Sequence, residues 1–174
     1  IANALGMFNC TFSNNVAYVK NGSETQGGGA AYNCNGTNCR FENNSSAYIG
    51  GAVFYYSGNA GNYTNCQFIG NKGKYGGGAA NVYWGDDRGA GVLGGEMRDN
   101  VVTVGGGGAM NCTMEGVVIS NNVSGESGGG YYNNSKFWVK DCEIRSNTAG
   151  SWGGGVYLTG TTSYVTNTTV AGNS

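Results

Sequence analysis

The one run of adjacent carboxylates in this 174-residue chain is Asp86-Asp87, followed directly by Arg88, in the stretch YWGDDRGAG. Two acids beside a cation are what general acid–base cleavage of a glycosidic bond would need, and they would also suit a Ca²⁺ site. The remaining acidic residues are scattered. Lys72 and Lys74 fall in a nearby turn without further acids, and the chain has no histidine to act as a base. None of the glycine runs has the GGxGxD form of a calcium-binding repeat. A solvated loop tip accounts for Asp86-Asp87-Arg88 as well as catalysis does. No catalytic residue, cofactor or metal ligand is therefore assigned, and the chain is read as non-enzymatic.

Two further residue types carry chemistry. Six cysteines form an even set, which suits an oxidising compartment. Cys34 and Cys39 flank NGTN and could close a small disulfide loop. Cys10, Cys39 and Cys66 recur at one repeat position, where three thiols cannot all pair, so a file of buried free thiols is the alternative. Ten Asn-X-Ser/Thr sequons exceed what random pairing of these residue types would give, which points to a secreted glycoprotein. Turns rich in Asn, Ser and Thr are the competing explanation. Asn21, Asn35, Asn62 and Asn133 are expected in connecting loops and, with Asn167, are the glycosylation candidates. Asn44 and Asn122 belong to an inner file where a glycan would not fit.

The elements that position these residues are set by a repeat. A large apolar residue is followed three places later by Asn in Phe12/Asn15, Phe41/Asn44, Phe68/Asn71, Met97/Asn100, Ile119/Asn122, Ile144/Asn147 and Val170/Asn173. Successive copies are 29, 27, 29, 22, 25 and 26 residues apart. Glycine runs alternate with these pairs, beginning near Gly27, Gly50, Gly76, Gly105, Gly128 and Gly153. A period of this size means stacked structural units. Around each apolar residue, polar and apolar positions alternate, as in Cys39-Arg40-Phe41, which is the pattern of a short strand with one face in and one out. No window between the glycine clusters holds a helical period. The sequence predicts an all-β, right-handed parallel β-helix of about seven coils, with residues 1–174 as a single domain. Its handedness follows from the preference of parallel crossovers.

In this fold Phe12, Phe41, Phe68, Met97, Ile119, Ile144 and Val170 stack as the core file. Asn15, Asn44, Asn71, Asn100, Asn122, Asn147 and Asn173 stack beside it. The asparagines are expected to turn the chain in left-handed backbone and to hydrogen-bond from turn to turn through their amides. After the glycines come two apolar columns, one of Ala30, Ala52, Ala79, Ala109, Tyr131 and Val156, the other one residue later. The second is favoured as inward. Tyr55, Tyr56, Tyr83, Trp84, Trp138 and Trp152 exceed what a narrow core holds. They could stack on sugar rings or cover glycine-rich backbone.

Charge is nearly balanced, at a formal −1, and no basic stripe suggests nucleic acid. No apolar run is long enough to span a membrane as a helix. The outward column mixes Thr, Arg, Gln and Glu, unlike a flat threonine array for ice.

The strict FxxN matches at Phe12–Asn15, Phe41–Asn44 and Phe68–Asn71, with GGA at Gly28–Ala30, Gly50–Ala52, Gly77–Ala79 and Gly107–Ala109, resemble the repeat of the chlamydial polymorphic outer-membrane proteins. Later copies drift to Met, Ile and Val. The resemblance implies a pectin-lyase-like β-helix at a cell surface, serving adhesion or acting as a structural rod. Together these features point to an extracellular structural solenoid that stacks end to end, with copies of itself or with neighbouring β-helical segments. Second comes an adhesin or carbohydrate-binding module, and third a polysaccharide-cleaving enzyme. The ends are expected to be uncapped.

Overall fold

The computed structural model describes residues 6–18, 27–56, 61–81, 91–160 and 162–174. They form a parallel β-solenoid with no helix among them. A full turn contributes four short strands, for example Asn35–Thr37, Arg40–Glu42, Ser45–Ser46 and Val53–Phe54. The first two belong to one bent sheet that is seven rungs deep, and the third and fourth form six-stranded sheets. The last winding contributes only its first two strands, Tyr164–Thr166 and Thr169–Ala171. The described chain thus makes about six turns, where the repeat count predicts seven.

Register is strict along the core file. Phe12 pairs with Phe41, Phe41 with Phe68, Phe68 with Met97, Met97 with Ile119, Ile119 with Ile144 and Ile144 with Val170. The rings of Phe12, Phe41 and Phe68 stack at 5.1 and 5.0 Å, nearly parallel. Tyr63 meets Phe41 and Phe68 edge-on. It belongs to a second inward file, Met7, Gly36, Tyr63, Val92, Met114, Val139 and Val165. A β-carbon on Gly36 would come within 2.8 Å of the Tyr63 ring, so the absent side chain makes the room that the phenol fills.

The third inward file is Ala31, Val53, Ala79, Ala109, Tyr131 and Val156. This corrects the expectation for the glycine-following strand, where the favoured column lay one residue later and the first two turns were out of step. The backbone sets the count. At this corner one glycine per turn takes positive φ: Gly28, Gly50, Gly76, Gly106, Gly128 and Gly153. The inward residue is the third after each of them. The glycine in between is required for another reason. A β-carbon on Gly77 would lie 2.4 Å from the Gly107 carbonyl oxygen of the next turn.

The asparagine file also differs from expectation in which residue bends the chain. The left-handed residue is the one before it: Asn14, Asn43, Gly70, Asp99, Asn121, Ser146 or Gly172. The file asparagine then turns its side chain inward. Asn44, Asn71, Asn100, Asn122 and Asn147 are completely buried.

Candidate functional site

The buried asparagines form a directional hydrogen-bond chain. Asn71 illustrates it. Its backbone N–H and its Nδ2 both donate to Asn100 Oδ1, at 2.9 and 3.0 Å. Nδ2 also donates to the Phe41 carbonyl of the preceding turn at 3.0 Å. Its own Oδ1 accepts from the N–H and Nδ2 of Asn44. The same bonds run from Asn15 to Asn173. Every donor in an interior turn is used, so hydrogen bonds offset the desolvation of the buried amides.

Because the chain of bonds has a direction, the two ends differ. The first turn holds Asn15 Oδ1, which no donor reaches among the described residues. The last holds the Asn173 N–H, for which the following turn would supply the acceptor. The apolar file changes in parallel, since Phe41 through Ile144 are fully covered while Val170 is 48 % exposed. Phe8, Val16 and Tyr18 lie exposed in the first winding, and Tyr164 in the last.

The outward face of the second strand carries Thr11, Arg40, Gln67, Glu96, Val118, Glu143 and Thr169 in register. Its charges are paired at the surface: Arg40 with Glu42, Arg98 with Glu96 and Asp99, Arg145 with Glu143. Arg40 also donates to Gln67 Oε1 at 2.8 Å. The Arg40 hydrogen bond holds the Glu42 carboxyl below its usual range. Along the adjoining corner, Asn38 Nδ2 donates to Asn9 Oδ1 and Asn65 Nδ2 to Asn38 Oδ1, at 3.3 and 3.0 Å. That outer file stops where Gly94 and Gly95 replace it, leaving a shallow polar cleft of about 430 Å³ bordered by Asn65, Gln67 and Glu96.

All six cysteines are free, so the Cys34–Cys39 disulfide is not formed. Each follows a residue in left-handed backbone: Asn9, Asn33, Asn38, Asn65, Asn111 or Asp141. Each thiol donates to the carbonyl two residues back, as Cys34 does to Tyr32 at 3.2 Å and Cys39 to Thr37 at 3.3 Å. Thr168, after Asn167, makes the same bond with its hydroxyl. The thiol thus closes a corner. The recurring Asn-Cys dipeptide was the available sequence signal for this role. Burial pushes the Cys66 thiol up to about 12 and raises Cys142 as well, so neither is a nucleophile near neutrality.

The sequon asparagines divide. Asn133 is completely buried at the end of the strand Tyr131–Asn133, not in a loop as expected. Its Nδ2 donates to Ser163 Oγ at 2.7 Å and to the Phe137 carbonyl, and its Oδ1 caps Ser135. A glycan there would displace both bonds with no space to occupy. Asn35 is half-buried, and its Oδ1 accepts from the Tyr55 hydroxyl and the Asn62 N–H. Asn62 is also half-buried, directly before the strand Tyr63–Ile69. Asn167 is exposed in left-handed backbone and donates to Asp141 Oδ1. Asn21 lies outside the described residues, as do Asp86, Asp87, Arg88, Tyr83 and Trp84. Of the surplus aromatics, Tyr55 is buried in the core, Trp138 is half-buried, and Tyr56 and Trp152 are exposed.

No helix among the described residues is long and apolar enough to cross a membrane. No curated protein and no solved structure matches the chain. A family model does match, that of the Chlamydia polymorphic membrane protein repeat, over residues 9–34 and 38–55. These stretches contain the first two FxxN corners and the first two glycine corners, the parts that the solenoid uses to turn. In those two windings the chain is similar to the Chlamydia polymorphic membrane protein repeat, and both windings lie in a parallel β-solenoid.

Proposed function

We propose that this chain is a structural β-solenoid of the cell surface, extracellular and non-enzymatic, whose end rungs associate with a matching rung of another copy or of a neighbouring β-helical segment. The observation that supports the reading is the polarity of the buried asparagine chain. Asn15 offers an acceptor at one end and Asn173 a donor at the other, beside apolar side chains that are covered in every interior turn. A head-to-tail contact would extend both files without a change of register, and contacts of that kind propagate without closing. The membrane-protein repeat favours a surface location, and the sequons favour export.

Electron microscopy and light scattering of the purified chain across a concentration series test this. Association into rods is expected, weakened by Val170→Asp, which puts a charge on the exposed end of the core file. Monodisperse single particles at every concentration would overturn it. Incubation with acidic and neutral polysaccharides tests the non-enzymatic part. Cleavage that disappears in the Asp86→Ala, Asp87→Ala double variant would replace this reading with an enzyme.

A further inference from the structure

A groove on the side of the solenoid, at the glycine corner, has the features of a sugar site. One outward column there reads Tyr75, Gly105, Ser127 and Trp152 in register. The two small residues form a floor between an aromatic at each end. Three rungs at about 4.8 Å each set those aromatics roughly 14 Å apart. The adjoining column, on the face away from the core, supplies the wall. Tyr132 and Tyr157 stack at 5.7 Å, and Trp152 stacks on Tyr157 at 6.0 Å with the planes only 19° apart. Opposite them stands Glu126, exposed and without a salt bridge among the described residues. These side chains enclose a cavity of about 270 Å³.

We infer that this groove binds a short, uncharged oligosaccharide. Trp152, 62 % exposed at the edge of this stack, keeps a flat face for the C–H side of a pyranose ring. A carboxylate and a hydroxyl at the floor accept and exchange hydrogen bonds with sugar hydroxyls. Among the described residues that line the groove Glu126 is the only charged one, with Lys74 Nζ 5.7 Å from the Tyr75 ring at one end, and the carboxylate disfavours uronates and sulfated chains. The length suits several linked rings rather than one. The groove runs along the rod and faces sideways, so it is independent of whether the ends associate.

Chitotriose, cellotriose, trigalacturonate and tetralysine are titrated into the purified chain, with tryptophan fluorescence and chemical shifts as readouts. Saturable binding of at least one neutral trisaccharide is expected, with little from trigalacturonate. Trp152→Ala should weaken it about ten-fold or more, as loss of one stacking partner of about 1.4 kcal/mol implies. Gly105→Tyr should abolish it. That variant fills the floor with the residue that the rung below already carries at Tyr75, so the fold tolerates it, and an unchanged circular dichroism spectrum and melting midpoint verify this. Three results would overturn the inference: no saturation by either neutral trisaccharide at millimolar concentration, sugar binding that survives Gly105→Tyr, or preference for tetralysine, which would make the groove a site for basic peptide.

Discussion

Two files of asparagine run along this solenoid, and they obey different rules. The inner one, Asn15 to Asn173, keeps asparagine in every turn. The outer one begins with Asn9, Asn38 and Asn65 and then passes to Gly94 and Gly95, Gly116, Asp141 and Asn167. Both sit at corners, and both contain amide-to-amide bonds. Only the inner file is buried, and there each amide serves four partners. Any other side chain would strand donors and acceptors without water. The outer file must only supply positive φ in contact with solvent, and Gly, Asp or Asn can do so. The residues that bend the chain before the inner file show the same tolerance: Asn14, Asn43, Gly70, Asp99, Asn121, Ser146 and Gly172. Bending is cheap to satisfy in several ways, whereas buried amide chemistry is not.

The sharpest way to break this contrast is Asn100→Ala. It leaves the Asn71 N–H and one Asn71 Nδ2 hydrogen without partners and removes the Asn100 Nδ2 bond to the Phe68 carbonyl. At about 1–3 kcal/mol for each stranded group, a loss of at least about 2 kcal/mol is expected in a denaturant titration. A loss below about 1 kcal/mol would show that the inner file is no more demanding than the outer.

On the outer file the effects are smaller. Asn38→Ala should cost about 1–2 kcal/mol, because alanine must take φ near 53° there, while Asn38→Gly should be close to neutral. Equal losses in the two variants would mean that the outer amide bonds, not the backbone, dominate.

Cys66 marks the boundary between the two environments, directly after exposed Asn65 but itself buried. Burial raises its thiol from 9.0 to about 12, and the Tyr55 phenol from 10.0 to about 12. A raised folded-state value gives stability that is complete below the unfolded value. That stability is lost as pH climbs from about 9 towards 12, because the unfolded chain releases these protons first. The melting midpoint should therefore fall over that range, and Cys66→Ala should flatten the fall.

The smallest effect belongs to Glu42→Gln. Its carboxyl is held low by Arg40, so the pair contributes above the ordinary carboxyl value and is lost as pH falls through the lower folded value. Both side chains are about one-third exposed, and Arg40 keeps Gln67 as a partner. The melting midpoint at neutral pH should not change measurably.

The sequence by itself determined the repeat, the parallel stacking and the identity of the core and inner asparagine files. A side-chain pattern of period two within a longer period near 26 leaves few other ways to bury Phe12, Phe41 and Phe68 together. Only the tertiary structure decided which residue of each pair turns the chain. Asn43 and Asn44 are chemically identical, and one becomes the bend and the other the buried amide by position alone. It also decided the parity of the strand after the glycines, since a run such as Gly27-Gly28-Gly29 does not reveal which member takes positive φ. Asn133 became a buried cap and not a glycan site because Ser163, 30 residues later, lies against it. The thiols became corner clasps because each left-handed residue turns the next side chain back to a carbonyl. In all of these the deciding partner lies in another turn or in the local backbone angle, and neither is written in the identity of the residue itself.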